Sequence, residues 1–149
     1  MLLQWGMVQF EVHPLNFHEL DHTTATDWAR KEIAGAAIYR EWVGESEEEI
    51  TLRGRVFPFF MAGSGRGDGK NGLNELEILE SYRRDGMAQQ MIRGDGYNLG
   101  WYVLERLSRA HRFIGANGIG QQINFEGTFA RCPIPDAASY FPMLFQLIR

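Results

Sequence analysis

The segment His18-Glu19-Leu20-Asp21-His22 satisfies the pattern H-E-x-x-H. On a helix this spacing turns both histidines to one side to hold zinc, with the glutamate beside the metal-bound water. A small zinc metalloprotease built on His18, Glu19 and His22 is therefore the rival reading from the enzyme class. The flanks, Asn16-Phe17 and Thr23-Thr24-Ala25-Thr26, favour extended chain instead. On a strand, residues four apart stand roughly 13 Å from one another, too far to chelate one ion together. Two solvent-facing histidines on a polar strand are the expectation.

Other patterns also lose their chemistry in context. Gly67-Asp68-Gly69-Lys70-Asn71-Gly72 matches G-x-G-x-x-G, but the strand before it carries Pro58 and alternates wet and dry. A dinucleotide site wants a buried parallel strand there and an acidic strand end about 20 residues on. As a phosphate loop it has Ser64 where glycine is needed and Asn71 where Ser or Thr would bind magnesium. The Arg-Gly-Asp triplets Arg66–Asp68 and Arg93–Asp95 lie in expected turns, where glycine and aspartate are wanted anyway. Cys132 has no partnered histidine. The basic cluster Arg106, Arg109, His111 and Arg112 reads as a solvated strand end. No catalytic, cofactor-binding or metal-binding residue is expected.

Bulk composition supports that reading. The 149 residues fit one domain or a domain with a short appendage. A net charge of −4 offers no global attraction to nucleic acid or an anionic membrane. One cysteine allows no internal disulfide, and no apolar run approaches the ~18 residues of a spanning helix. Met1–Phe10 has neither a basic start nor a cleavage site, so no signal peptide is expected. Seventeen glycines beside ten phenylalanines, five tyrosines and four tryptophans suggest tight turns joining half-buried strands.

The elements follow from periodicity. Met1–Val12 reads as one strand, with Leu3, Trp5 and Met7 on one side and Leu2, Val8 and Phe10 on the other. Phe17–Arg30 reads as an exposed polar ribbon, and Ile38–Val43 as a short strand ended by Gly44. An acidic turn, Glu45–Glu48, then feeds a strand over Glu49–Phe57, with Ile50, Leu52, Gly54 and Val56 on its dry face. After the glycine loop Ala62–Gly72, the spacing of Leu73, Leu76, Leu79 and Tyr82 predicts a helix over Leu73–Arg84, capped by Asn71 and stopped by Gly86. Met87–Arg93 and Tyr97–Ser108 form a hairpin, with Tyr97, Leu99, Trp101, Val103 and Leu107 sharing a face. Arg109–Ile114 leads through a turn to the strand Gln121–Arg131, with Ile123, Phe125 and Phe129 inward. Strands not regularly separated by helices imply antiparallel α+β architecture. The tail beyond Cys132 is apolar: Tyr140, Phe141, Met143, Leu144, Phe145, Leu147 and Ile148. That surplus of apolar surface points to assembly.

Four segments resemble the GpU family of tail proteins from contractile-tailed phages and R-type bacteriocins. They are Trp5–Phe10, Trp42–Glu45 with Glu48–Pro58, Gly94–Gly96 with Gly100–Val103, and Gln122–Phe125. The second is the most specific, an acidic segment feeding a strand that ends in an aromatic-proline pair. The match spans residues 1 to about 131; Gln122 and Asn124 depart from the expected basic and acidic residues. The resemblance implies a non-enzymatic structural protein of the virion tail, assembled in the host cytoplasm. It implies an antiparallel β-sandwich or barrel of tail-tube type with one flanking helix, as residues 1–131, followed by a docking tail, 132–149. It further implies a homo-oligomer, a sixfold ring where the tube meets the central hub, templating tube assembly. Partners would be the tail-tube protein, the hub and other baseplate proteins, with no specific nucleic-acid recognition, membrane or cofactor. The interface candidates are Trp28 on the ribbon, Arg66, Asp68 and Lys70 in the glycine loop, and Tyr140, Phe141, Leu144, Phe145, Leu147 and Ile148 in the tail.

Overall fold

A computed structural model describes residues 1–11, 15–59 and 72–134. Its strands are β1 (Leu3–Trp5), β2 (Val8–Phe10), β3 (Leu15–Lys31), β4 (Tyr39–Val56), β5 (Gln89–Arg93), β6 (Asn98–Ile114) and β7 (Gly120–Cys132). The helix α1, Leu73–Asp85, lies between β4 and β5. The strands make one antiparallel sheet in the order β2-β1-β5-β6-β7-β4-β3. Its ends approach each other where Glu11 bridges Asn16 and the Phe17 N–H donates to the Glu11 carbonyl at 3.5 Å. The fold is the expected mainly antiparallel architecture with one flanking helix.

Alternation builds the core. On β4, Ile50, Leu52, Gly54 and Val56 point inward; on β7, Ile123, Phe125 and Phe129 meet them. Trp5 sits centrally, edge-on to Phe129 at 5.0 Å and to Tyr82 at 5.4 Å. Its indole N–H donates to the Tyr102 carbonyl at 3.1 Å, so burial leaves no donor orphaned. Leu76 and Leu79 of α1 are buried and Leu73 and Tyr82 half-buried, the stripe expected from the sequence. Gly54 is required by close approach: a Cβ there would lie 2.4 Å from the Phe125 ring and 2.6 Å from the Asn16 carbonyl.

Several expectations are corrected. Met1–Val12 is not one strand; Gly6, at φ 59°, and Met7 turn β1 into β2. Leu3, Trp5, Val8 and Phe10 are all buried while Met7 projects into solvent, because the turn resets which residues face inward; Val12 lies outside the described residues. Glu45–Glu48 is no turn but the middle of β4, where shifts of register absorb the extra residues and Glu48 finds partners across the sheet. In β6 the inward residues are Tyr102 and Leu104 rather than Trp101 and Val103, and a bulge at Glu105 then brings Leu107 to the same side. β6 also continues without a break to Ile114. The N-cap of α1 is Gly72, in the left-handed region with no side-chain cap; Asn71 lies outside the described residues. Gly86 ends the helix as expected.

Candidate assembly surface

β3 and β4 extend together past the body as a two-stranded ribbon. Glu48 marks the point where they leave it. Its carboxylate receives the Tyr102 hydroxyl at 2.6 Å and the Arg131 guanidinium at 2.5 Å, and lies 2.6 Å from His22 Nε2. Partial burial pushes this carboxyl up, but the hydrogen bonds from Tyr102, Arg131 and His22 outweigh it and hold it at about 2. Burial and the adjacent carboxylate drive the Tyr102 hydroxyl upward. The cluster ties β3, β4, β6 and β7 together; it supplies neither a nucleophile nor a free base.

The strand therefore separates the members of the zinc-like motif. His22 is held by Glu48, Glu19 by Arg53 at 3.1 Å, and His18 falls at the bulge between Phe17 and Glu19. Among the described residues, no three metal-ligating side chains group to hold an ion. Arg93 and Asp95 of the second Arg-Gly-Asp turn against each other, with contacts of 2.6 and 3.1 Å. Arg93 first, then the Tyr97 N–H, holds the Asp95 carboxyl at about 2. Burial raises the Cys132 thiol, the opposite of nucleophile activation. A cleft of about 400 Å³ at the far end of the sheet is lined by Phe57, Phe59, Gly115, Asn117, Ile119 and Gln121, none of them titratable.

What the fold does present is a broad polar face on β6-β7-β4-β3, opposite the core. One row reads Ser108, Glu126, Arg53, Glu19; the next reads Arg106, Thr128, Thr51, Asp21. Arg53 binds Glu126 at 2.9 Å, Glu19 at 3.1 Å and Asp21 at 3.2 Å, one cation for three carboxylates. Among the described residues, both sides of this four-stranded unit end in backbone that pairs with no further strand over most of its length. β5 pairs with β6 only over Asn98–Tyr102, so among the described residues β6 continues to Ile114 without a strand partner on that side. β3 is the terminal strand of the sheet; above its contact with Glu11 its residues are nearly all exposed. Unpaired edges of this length are templates for another chain.

The ribbon carries the other exposed apolar surface. Trp28 lies directly across from Trp42 on the side that continues the core face, and the two are 49% and 60% exposed. Val43, next in sequence to Trp42, and Tyr39, across from Lys31, are exposed as well. Trp28 is an interface candidate from the sequence; Trp42, which the ribbon sets across from it, is not among those candidates. The signal for Trp42 was present, since closing one hairpin around Gly35 opposes the two tryptophans once β4 is not broken at Gly44. The other interface candidates, Arg66, Asp68, Lys70, Tyr140, Phe141, Leu144, Phe145, Leu147 and Ile148, lie outside the described residues.

Comparison with known proteins agrees with this fold. The Dit protein of phage SPP1, described as a paradigm of the hub adsorption apparatus of phages infecting Gram-positive bacteria, superposes with a TM-score of 0.57 at 11% identity. The overlap covers 87% of this chain but 49% of that protein, so the chain spans about half its length. A chain from the virion of a native gene transfer agent particle has a TM-score of 0.44 at 13% identity, covering 79% of this chain and 81% of its own. No curated protein sequence matches. The model of the family described as Phage P2 GpU matches residues 6–132, nearly all the described structure, and on that match the chain belongs to this family of phage-tail structural proteins and is a component of the virion tail.

Proposed function

We propose that the protein forms a ring, sixfold in symmetry, at the hub and baseplate end of the tail tube, and that this ring templates the tube. It acts by assembly and not by catalysis. The observation that carries this is the four-stranded unit with one polar face and an open edge on each side. Counting β3, β4, β7 and β6, the strands alternate in direction, so β6 of a second copy beside β3 continues the antiparallel order. Such a contact joins two different surfaces, and a repeat of it whose rotation closes makes a cyclic ring. A closed ring leaves no exposed edge. The polar faces then line the lumen, and the core, with α1, lies outside.

The ring's remaining surfaces meet its neighbours. The Trp28–Trp42 tip docks on an adjoining tail protein, the tube subunit or the hub, because aromatic side chains dominate contact energies where they become fully buried. The glycine loop with Arg66, Asp68 and Lys70 contacts an adjoining tail protein, and the apolar tail plugs into a hub or baseplate neighbour. Removal of residues 136–149 is expected to abolish that docking and leave the domain folded. Normal stoichiometry of the truncated chain in assembled tails would refute the role given to the tail. Electron microscopy of purified protein and of intact tails tests the ring: sixfold particles at the hub end support it. A closed dimer, or a location away from the tube, overturns it.

A further inference from the structure

The geometry points to a staggered contact between copies, in which β3 of one lies about four residues out of line with β6 of the next and Glu19 faces Arg112. This rests on the ring reading above and specifies its interface. Within one copy the rows are flush: Glu19, Arg53, Glu126 and Ser108 lie side by side across four strands. If that alignment continued into the next copy, Glu19 would meet Ser108 and the ring's strands would stand upright. Closed barrels do not do this. Their strands tilt by roughly 35–45°, and an eight-stranded barrel tilted about 36° has a shear of eight, roughly one residue per strand. Four strands per copy therefore require an offset of about four residues per copy.

The chain itself sets the direction. A flush contact would need the outer edge of Leu15–Phe17, where Glu11 already bridges Asn16 and binds the Phe17 N–H. Sliding β3 toward the start of β6 would drive it into β5, which holds Asn98–Tyr102. Sliding it the other way sets Glu19–Trp28 against Val103–Arg112, backbone that pairs with no other strand on those sides among the described residues. Four rows from Ser108 in that direction is Arg112, on the same polar face, and Asp21 falls diagonal to it.

Charge agrees with this register. Arg53 alone serves Glu19, Asp21 and Glu126, leaving negative charge in excess at the β3 edge. Arg106 and Arg112 on β6 are exposed and take part in none of the ion pairs among the described residues. Acidic β3 against basic β6 favours this pairing and disfavours β3 against β3, where like charges would oppose.

Directly opposed residues of an antiparallel pair have Cα atoms about 4.5–5.5 Å apart, within disulfide reach. In a Cys132→Ser background, Glu19→Cys with Arg112→Cys is assembled into intact tails, which are purified and treated with a mild oxidant. Denaturing gels are expected to show a covalent ladder rising to the ring, at least tenfold stronger than for Glu19→Cys with Ser108→Cys. Ladders from the Ser108 pair alone would overturn the stagger while leaving the ring intact. Monomer from both pairs, in particles whose rings are visible by electron microscopy, would overturn the edge contact itself. If no ring is visible, the ring reading falls with it. As a second readout, Arg112→Glu is expected to lower incorporation into tails at least tenfold, and Glu19→Arg added to it to restore most of the loss. An Arg112→Glu variant that assembles normally would count against the pair.

Discussion

The two halves of β4 share a strand and almost nothing else. From Ile50 to Val56 every second residue is buried, and the strand has a neighbour on each side. From Tyr39 to Glu47 it pairs only with β3, and no residue is fully buried on either face. An isolated two-stranded hairpin is marginal in water, so the outer half persists through its anchorage at Glu48 and not through its own burial. Stability and contact are thus segregated along one strand: the inner half holds the fold, and the outer half presents aromatic side chains. Mutations should sort the same way.

The largest effect is expected in the body. Trp5→Ala removes the central indole, its edge contacts with Phe129 and Tyr82, and its bond to Tyr102, and should cost about 3–5 kcal/mol. Chemical denaturation of the full chain measures it; a loss below about 1 kcal/mol would show that the core does not depend on this residue. Next comes the anchor. The Glu48 carboxyl is lowered from 4.5 to about 2 in the folded protein. A carboxyl with a depressed folded value stabilises above its unfolded value, and that contribution fades as pH falls from about 4.5 toward 2. Roughly 2 kcal/mol should be lost across that window, after allowance for partial exposure. Glu48→Gln should flatten this part of the stability profile, and a profile unchanged by the substitution would remove Glu48 from the anchor.

A loss of similar size is expected at Gly54. Its backbone is ordinary for a strand, and the objection to a methyl group is space alone: Phe125 and the Asn16 carbonyl occupy it. Gly54→Ala should cost about 1–3 kcal/mol through displacement of the Phe125 ring. Combining it with Phe125→Leu should cost less than the two single losses added together, because the ring that must move is gone. Additive losses would mean that the Asn16 carbonyl, and hence β3, sets the limit instead.

This division also explains what the sequence made legible. Ile50, Leu52, Val56, Ile123, Phe125 and Phe129 were readable because alternation with polar neighbours is itself the consequence of having one dry face. The helix was readable for the same reason. The turn at Met7 and the bulge at Glu105 were not, since each changes which residues face inward without a distinct composition. The run Glu45–Glu48 reads as a turn because four polar residues carry no sign of Tyr102 and Arg131, 54 and 83 residues away. Open edges are less legible still. They depend on where β5 stops beside β6, a property of pairing partners and not of either strand alone.

The smallest expected change in stability belongs to the ribbon, and it is the one that tests the segregation most directly. Trp42 is 60% exposed, and Trp28 stands across the strands from it. A cross-strand aromatic pair contributes roughly 0.2–1 kcal/mol, so Trp42→Ala should leave global unfolding almost unchanged. Docking energy is a different quantity, because an indole that becomes fully covered in a contact can account for 2 kcal/mol or more of affinity. The variant should therefore fold like the parent yet be incorporated into assembled tails at least tenfold less, with Trp28→Ala behaving alike. If Trp42→Ala instead unfolds the protein, the ribbon belongs to the folding unit and the contrast within β4 is false. If it folds and assembles normally, the tryptophan pair is exposed for no docking purpose, and the edges of β3 and β6 remain to hold the assembly.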